Sequence, residues 1–330
     1  MNQPYDPEDW DHWSRAMSNN AKLLRKDATF VPEVRSPTVR RRELGALLRK
    51  LRTDKGLTVE QAAEQLMFSM SKLSRMETGH GAPSRRDIRD LCALYEVTDE
   101  AERKRMMNLA VEGRQAGWWQ SYDLDFDDYV GLEAAAVGLR YYQCTIVPGL
   151  LQTRAYAKAM IEVTIPKLTA ERITELLEVK LTRQQVLIRK EPLLLWAVLD
   201  EAALHRMVGG RAVMAEQLDH LIEVADNANI TIQIIPYGAG AHPGMDSTFN
   251  ILEFAGPVPK LVYVEGLVGY YYLDRPADID KYQQVFDYLS SLALNPKDSI
   301  GMIARVKQAY TEKLIPRALL LRRPRGLFKL

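Results

Sequence analysis

The chain has 330 residues, which suits two or three domains rather than one. Apolar residues make up 47% of it and charged residues 26%, a composition that excludes wholesale disorder. The net charge is only +1, but residues 35–114 carry 17 basic and 12 acidic residues, so the rest of the chain is net negative. This distribution favours a phosphate-facing domain joined to an acidic body over a protein that coats nucleic acid indiscriminately.

Residues 1–37 are predicted to form a poorly ordered extension, because prolines flank their one candidate helix and no core pattern follows. Residues 38–114 are predicted to form an all-α domain of five helices. The first has leucines at i, i+3, i+4 and i+7 from Leu44 and ends at Lys55-Gly56. Residues that start the other four helices follow in order, namely Thr58, Ser69, Ser84 and Thr98.

Residues 115–306 are predicted to form an α+β domain with a mainly antiparallel sheet, followed by a basic tail over 307–330. Helices come first in this domain, at 132–142, 153–163, 169–189 and 213–227, with one buried strand at 193–199. Four strands follow at 230–235, 248–254, 261–264 and 267–273, where β-branched and polar residues alternate. Helices at 278–292 and 296–306 close the domain.

The second and third helices are separated by about three residues, which is the spacing of a helix-turn-helix. Ala62 and Ala63 supply the small side chains needed where these helices cross, and Leu73 and Met76 plug the core. Glu77 is expected to turn inward, because its carboxylate would repel phosphate, and an arginine of the domain is a candidate partner. Thr78-Gly79 ends the third helix.

The opposite face of the third helix is predicted to enter the major groove of double-stranded DNA. Arg75 is expected to bind guanine, Ser71 and Ser74 to bind a base or a phosphate, and Met70 to contact a thymine methyl. The predicted phosphate contacts are Arg40, Arg41, Arg42, Arg49, Thr58, Ser69 and Lys72. The alternative is a small helical domain with a solvated basic face.

Residues 48–84 resemble the helix-turn-helix of the Cro and lambda-repressor family, also called the XRE family. Gly56-Leu57-Thr58 matches the start of that family's second helix, and the run from Ser74 to Gly79 matches its Ser-Arg-x-Glu-x-Gly. The chain departs from the family at Met67, where many members have glycine. A side chain at positive φ there costs on the order of 1 kcal/mol.

Residues 133–136, 147–153, 199–204 and 263–265 resemble the large C-terminal domain of actinobacterial regulators of the WhiJ type. This resemblance covers roughly residues 115–305. It implies a developmental or antibiotic-related regulator, and some members are antitoxin-like and are encoded beside a small partner protein. It implies no chemistry for the C-terminal domain.

No catalytic, cofactor or metal site is expected. Cys92 and Cys144 lie far apart, which favours a reducing cytoplasm over a disulfide framework. No signal peptide or membrane span is predicted. The histidines lack metal-ligand spacing: His12, His80, His205, His220 and His242. Gly209-Gly210-Arg211 and residues 238–244 lack the spacing of a phosphate loop, and Tyr270, Tyr271 and Tyr272 are expected to divide between core and surface.

The sequence therefore predicts a sequence-specific transcriptional regulator that works as a homodimer, since one small module reads few base pairs. Its C-terminal domain is expected to dimerise and to sense a small ligand or a partner protein. One alternative is an antitoxin-like protein that neutralises a small partner and autoregulates its operon. The other is a ligand-processing enzyme, which would use Asp200 and Glu201 as acid and base.

Overall fold

The computed structural model describes residues 36–122, 124, 126–165, 167–266 and 269–312. The predicted extension and tail, apart from residues 36–37 and 307–312, lie outside the described residues. The described chain forms an N-terminal domain of five helices and a C-terminal domain in which helices pack on a six-stranded sheet. The predicted fold class is therefore confirmed.

The N-terminal domain consists of α1 (Pro37–Asp54), α2 (Val59–Gln65), α3 (Met70–Glu77), α4 (Arg85–Leu94) and α5 (Glu100–Glu112). Thr58 and Ser84 cap α2 and α4 in capping boxes, and the Ser69 hydroxyl accepts a hydrogen bond from a backbone N–H of α3. The cap of α5 is Asp99 rather than Thr98. Because each such cap contributes about 1 kcal/mol, α2, α3 and α4 begin where the sequence predicts.

The apolar stripes of the five helices meet in one core. Its fully buried members include Leu44, Leu48, Ala62, Ala63, Leu73, Ile88, Leu91 and Met106. The small side chains of Ala62 and Ala63 on α2 let this helix approach α3 closely, as the sequence predicts. The helix-turn-helix is thus held by apolar contacts that leave the other side of α3 uncovered.

The C-terminal domain contains helices α6 (Asp127–Ala135), α7 (Arg154–Thr164), α8 (Ala170–Arg183), α9 (Ala202–His205), α10 (Arg211–Val224), α11 (Pro276–Leu292) and α12 (Pro296–Thr311). Its strands are β1 (Ala136–Gln143), β2 (Leu194–Asp200), β3 (Ile230–Ile235), β4 (Phe249–Phe254), β5 (Leu261–Glu265) and β6 (Tyr270–Leu273). The strand order is β3-β2-β1-β4-β5-β6. β1, β2 and β3 run parallel, and the other three pairings are antiparallel.

Helices cover both faces of the sheet. Leu139, Leu195 and Ile232 face a core shared with α10 and α12. Tyr142 and Val198 face the other side, where α11 packs with Phe286 and Leu289 among others. The central strands are consequently buried on both faces.

The helix predicted over residues 132–142 is wrong in its second half. The chain leaves α6 at Ala135 and continues as β1, the third strand of the sheet. A strand buried on both faces has no polar-apolar alternation, so its apolar run cannot be distinguished from a buried helix by periodicity. The pairing with β2 and β4 decides the outcome, and both partners are remote in sequence.

Two predicted helix ends also move. α8 ends at Arg183 and is followed by a 3-10 turn over Gln184–Leu187, and α12 continues to Thr311, past the predicted end at 306. The first turn of α1 packs on the C-terminal domain: Val39 belongs to the core of that domain, and the Ser36 hydroxyl donates to the carbonyl oxygen of Gly131 at 2.6 Å. The two domains therefore share the first turn of α1.

Within the described ranges, none of the helices combines the length and apolar character required to cross a bilayer. In the same ranges, no three histidine, cysteine or acidic side chains lie close enough together to hold a metal ion.

Candidate nucleic-acid interface

The outward face of α3 consists of the four residues predicted to contact bases. Met70, Ser71, Ser74 and Arg75 are all exposed, while Leu73 is fully buried. This division follows from helical periodicity, because residues three or four apart share one face. α3 therefore presents a polar surface that its own domain does not cover.

The turn between α2 and α3 has the conformation that glycine usually supplies. Met67 has φ +52° and its side chain is 93% exposed. The left-handed backbone costs on the order of 1 kcal/mol for a residue with a Cβ atom, but an exposed side chain meets no steric obstacle. The sequence departure at Met67 thus leaves the shape of the helix-turn-helix intact.

The C-terminal end of α3 is fixed by a buried ion pair. Glu77 accepts hydrogen bonds from Nε and Nη2 of Arg52 at 2.7 and 2.9 Å, and Arg52 Nη1 also donates to the carbonyl oxygen of Leu57 at 2.6 Å. This arginine joins α1, the start of α2 and the end of α3. Glu77 turns inward, away from the surface of α3.

Two glycines allow α1 to approach the end of α3. A Cβ atom on Gly45 would lie 2.6 Å from the backbone oxygen of Met76, which is closer than real Cβ contacts. Gly79 has φ +76°, and a Cβ atom there would lie 2.6 Å from Cγ of Arg42. The loop after α3 is thus packed directly on the first half of α1.

A groove of about 340 Å³ lies beside α3, where Ser71, Arg75 and Ala82 are among the lining residues. Lys72 lines the same groove and forms an ion pair with Asp87 at 2.6 Å, over the ring of Phe68. Among the described residues, Arg75 has neither an ion pair nor a hydrogen bond through its side chain. Its guanidinium group therefore leaves all its donors unused within the described part of the chain.

The predicted contacts of Arg40, Arg41, Arg42 and Arg49 with phosphate stay a prediction, and in the structure these arginines lie against other parts of the chain. Arg41 donates to the carbonyl oxygens of Gly79 and Gly113, both at 3.2 Å, and to Asp128 at 3.0 Å. These contacts direct it toward the C-terminal domain and away from the outward face of α3.

Arg40 and Arg49 are similarly paired with carboxylates, whereas Arg42 contacts an aromatic ring. Arg40 pairs with Glu43 at 2.8 Å and with Glu112 at 3.0 Å, and Arg49 reaches Asp274 at 3.5 Å. Arg42 lies over the ring of Tyr272, 5.1 Å from its centre. Sequence alone could not show these contacts, because the carboxylates that Arg41 and Arg49 reach in the C-terminal domain lie 87 and 225 residues away.

Sequence reasoning did not single out the exposed arginines of α4. Arg85 opens α4 directly after the Ser84 cap, and Arg86 and Arg89 follow it on the surface. The pair of Lys72 with Asp87 places the first turn of α4 beside the first turn of α3. The available signal was the pair Arg85-Arg86 at a helix start next to the helix-turn-helix.

The residues considered for catalysis form a local network. The Asp200 carboxylate accepts from the backbone N–H of Ala202, Glu201 accepts from the N–H of Tyr237, and Nε2 of His242 lies 3.4 Å from Asp200. Asp200 and Glu201 thus hold the chain at the ends of β2 and β3. His205 stacks on Tyr237 with ring centres 5.9 Å apart.

His80, His220 and the tyrosines of β6 lie apart from this network, and His12 lies outside the described residues. His80 follows α3 and lies 6.2 Å from the ring of Tyr272, and burial lowers the pKa of His220 on α10. Tyr271 is 65% exposed, whereas Tyr272 is partly buried against Arg42 and Tyr263. β6 therefore points one face to solvent and the other to the N-terminal domain.

Two family models match the chain. A helix-turn-helix domain matches residues 43–106, which include α2, α3 and α4. A domain of unknown function, DUF5753, matches residues 126–305, more than half of the chain. No curated protein and no solved structure gives a significant match.

Proposed function

Since the chain belongs to the DUF5753 family and carries a helix-turn-helix domain typical of DNA-binding regulators, we propose that it is a sequence-specific transcriptional regulator that reads the major groove with α3. The observation that carries this proposal is the outward face of α3, where Arg75 has no protein partner among the described residues. The alternative, a helical domain whose basic face is only solvated, would be favoured if every cation on that face were paired with a carboxylate, as Lys72 is with Asp87.

The base contacts follow from the chemistry of the exposed side chains. Arg75 presents a planar donor pair that matches O6 and N7 of guanine. Ser71 and Ser74 donate or accept at a base edge, and Met70, whose side chain is 53% exposed, packs on a thymine methyl.

The phosphate contacts surround this face. Lys72, Thr58 and Ser69 remain assigned to phosphate, and Arg85 replaces the four arginines of α1. The Lys72 ammonium exchanges Asp87 for a phosphate oxygen or bridges both. These contacts set the position of α3 on the duplex, while the base contacts supply the specificity.

We further propose that the protein acts as a cytoplasmic homodimer whose C-terminal domain dimerises and responds to an effector or a partner protein. A single helix-turn-helix reads few base pairs, so two half-sites about one helical turn apart would supply the required specificity. No catalytic step forms part of this proposal.

A second candidate function is antitoxin-like neutralisation of a small partner protein, as in the WhiJ type of regulator. It is favoured by the exposed apolar side chains of Met207, Tyr237 and Met245, which belong to the C-terminal domain. Co-expression with the product of a short neighbouring gene would test it: loss of that product's toxicity supports this function, and unchanged toxicity opposes it.

The primary proposal is tested by selecting duplexes from a random pool with the full-length protein at moderate ionic strength. The proposal is supported if the wild type enriches a defined site and Arg75→Ala enriches the same site without a base preference at one of its positions. An unenriched pool, or identical enrichment by wild type and Arg75→Ala, refutes the role given to α3. The spacing of enriched half-sites reports the dimer.

A further inference from the structure

A cleft of about 490 Å³ lies between the two domains. One wall is the side of α1 that carries Arg42, Ala46 and Arg49, and the other is formed by β5, α11 and the segment before β5. Ligand sites in proteins are clefts of about 300–1,000 Å³ and occur preferentially at domain interfaces. The cleft has the size and the place of such a site.

Arg42 is the cation in this cleft that lacks a counter-ion. Among the described residues its guanidinium group donates no hydrogen bond and has no carboxylate within 4.0 Å. Burial lowers its pKa, but the group remains charged at neutral pH. Asp274 and Asp128 attract it only from a longer distance, and its closest contact of note is the ring of Tyr272.

The neighbouring charges of the cleft are compensated. Lys260 pairs with Glu253 at 3.0 Å, and Glu77 is held by Arg52. Arg49 lies 3.5 Å from Asp274, and Lys50 pairs with Asp54 of its own helix at 2.5 Å. The one further acid, Asp280, is exposed, so solvent screens it. An anion is therefore the species that the interior of the cleft lacks.

The walls around Arg42 are largely apolar. Ala46 contributes from α1, and Val258, Pro259, Leu261 and Ile279 contribute from the C-terminal domain. A phosphate or sulfate ion alone would leave these side chains uncovered. A molecule with an apolar body and one carboxylate would satisfy both the walls and the guanidinium group.

The cleft is also connected to α3. Glu77 and Thr78, the last residue and the C-cap of α3, lie in its lining. Arg42 packs against Gly79 on one side and Tyr272 of β6 on the other. An occupant bound to Arg42 would therefore contact the end of α3 and the C-terminal domain at once.

We propose that this cleft is an effector site for a small organic carboxylate with an apolar body, which Arg42 binds through its guanidinium group. The effect on DNA rests on the proposed function, whereas the binding does not. Occupancy changes how the C-terminal domain holds the loop after α3, and so changes the affinity of α3 for its site.

The binding is tested on the full-length protein with benzoate, 4-phenylbutyrate and octanoate, each compared with its primary amide. Calorimetric titration and the shift in Tm are the readouts. At least one carboxylate is expected to bind roughly tenfold more tightly than its amide, because charge-assisted hydrogen bonds are the stronger ones. Equal affinity of every acid and its amide, or no binding by any acid, overturns the proposal.

The variants assign the binding to the cleft. Arg42→Gln should abolish the preference for the acid, and Arg42→Lys should retain part of it. Ala46→Phe should block binding by filling the cleft, without removing a charge. Lys104→Gln is the matched control, because it removes one exposed positive charge from α5, outside the lining of the cleft, and should leave binding unchanged. Acid binding that survives both Arg42→Gln and Ala46→Phe overturns the assignment.

A separate arm measures affinity for the selected duplex with and without the bound acid. A change of several-fold in wild type that is absent in Arg42→Gln supports the effector role. Binding of the acid without any change in duplex affinity refutes that role while the site stands. Failure to bind any duplex refutes the proposed function and leaves the calorimetric result as the test of the site.

Discussion

Replacing Glu77 with glutamine should destabilise the N-terminal domain, because it leaves the Arg52 guanidinium group buried without a counter-ion. The side chains of Arg52 and Glu77 are 11% and 3% exposed, and two hydrogen bonds of 2.7 and 2.9 Å join them. Removing one partner of a buried ion pair costs 3–5 kcal/mol in general. Glutamine keeps one acceptor oxygen, so we expect a loss of about 3 kcal/mol, at the lower end of that range.

Such a loss raises the unfolded population of the domain roughly a hundredfold. Amide hydrogen exchange of the full-length protein measures it directly, because peptides from α1–α5 report the N-terminal domain separately. Protection should fall throughout Pro37–Glu112 and stay unchanged in β1–β3. Glu96→Gln removes an exposed partner of Lys55 and is the control, expected to leave protection unchanged.

The reasoning about Arg52 and Glu77 would be refuted if Glu77→Gln and Glu96→Gln altered exchange to the same small extent. The double variant Arg52→Met with Glu77→Leu separates charge from packing. It removes both buried charges and should recover most of the lost free energy of unfolding, because apolar pairs of similar volume often replace buried ion pairs without loss.

Three further predictions concern α3 and its surroundings. Arg75→Ala should cost about 1–3 kcal/mol for the preferred duplex and erase the base preference at one position, as competition with single-base variants would show; an equal loss for all duplexes would contradict it. Arg85→Gln should weaken all duplexes alike and reduce the slope of log Kd against log salt by about one, whereas Lys104→Gln on α5 should not. Met67→Gly should raise the free energy of unfolding by about 0.5–1 kcal/mol in the same exchange experiment, because it relieves a φ of +52°; a decrease would show that the turn is not strained.

The helix-turn-helix was predictable because its signals are local. The hydroxyl groups of Thr58, Ser69 and Ser84 each cap a helix by accepting a hydrogen bond from the backbone N–H three residues further along the chain. The inward position of Glu77 was also predictable, since an acidic residue at the end of a DNA-reading helix must avoid phosphate. Each inference needed only neighbouring residues and one chemical rule.

Contacts between residues that are remote in sequence could not be predicted. The arginines of α1 have the composition of a phosphate-binding surface, yet Arg41 meets Asp128 and Arg49 meets Asp274. The sequence predicts a helix over most of β1, because the strands that pair with it, β2 and β4, lie more than 50 residues further along the chain. The interdomain cleft is likewise invisible in the sequence, because residues 42–78 and 258–280 form it together.

Methylation protection of guanine N7 on a selected duplex tests most directly whether α3 lies in the major groove. N7 is on the major-groove edge, so the bound full-length protein should protect the guanines of its site. Arg75→Ala should expose one of these guanines in each half-site and leave the others protected. Full reactivity of every guanine N7 under saturating protein would contradict the placement of α3, and with it the proposed regulator.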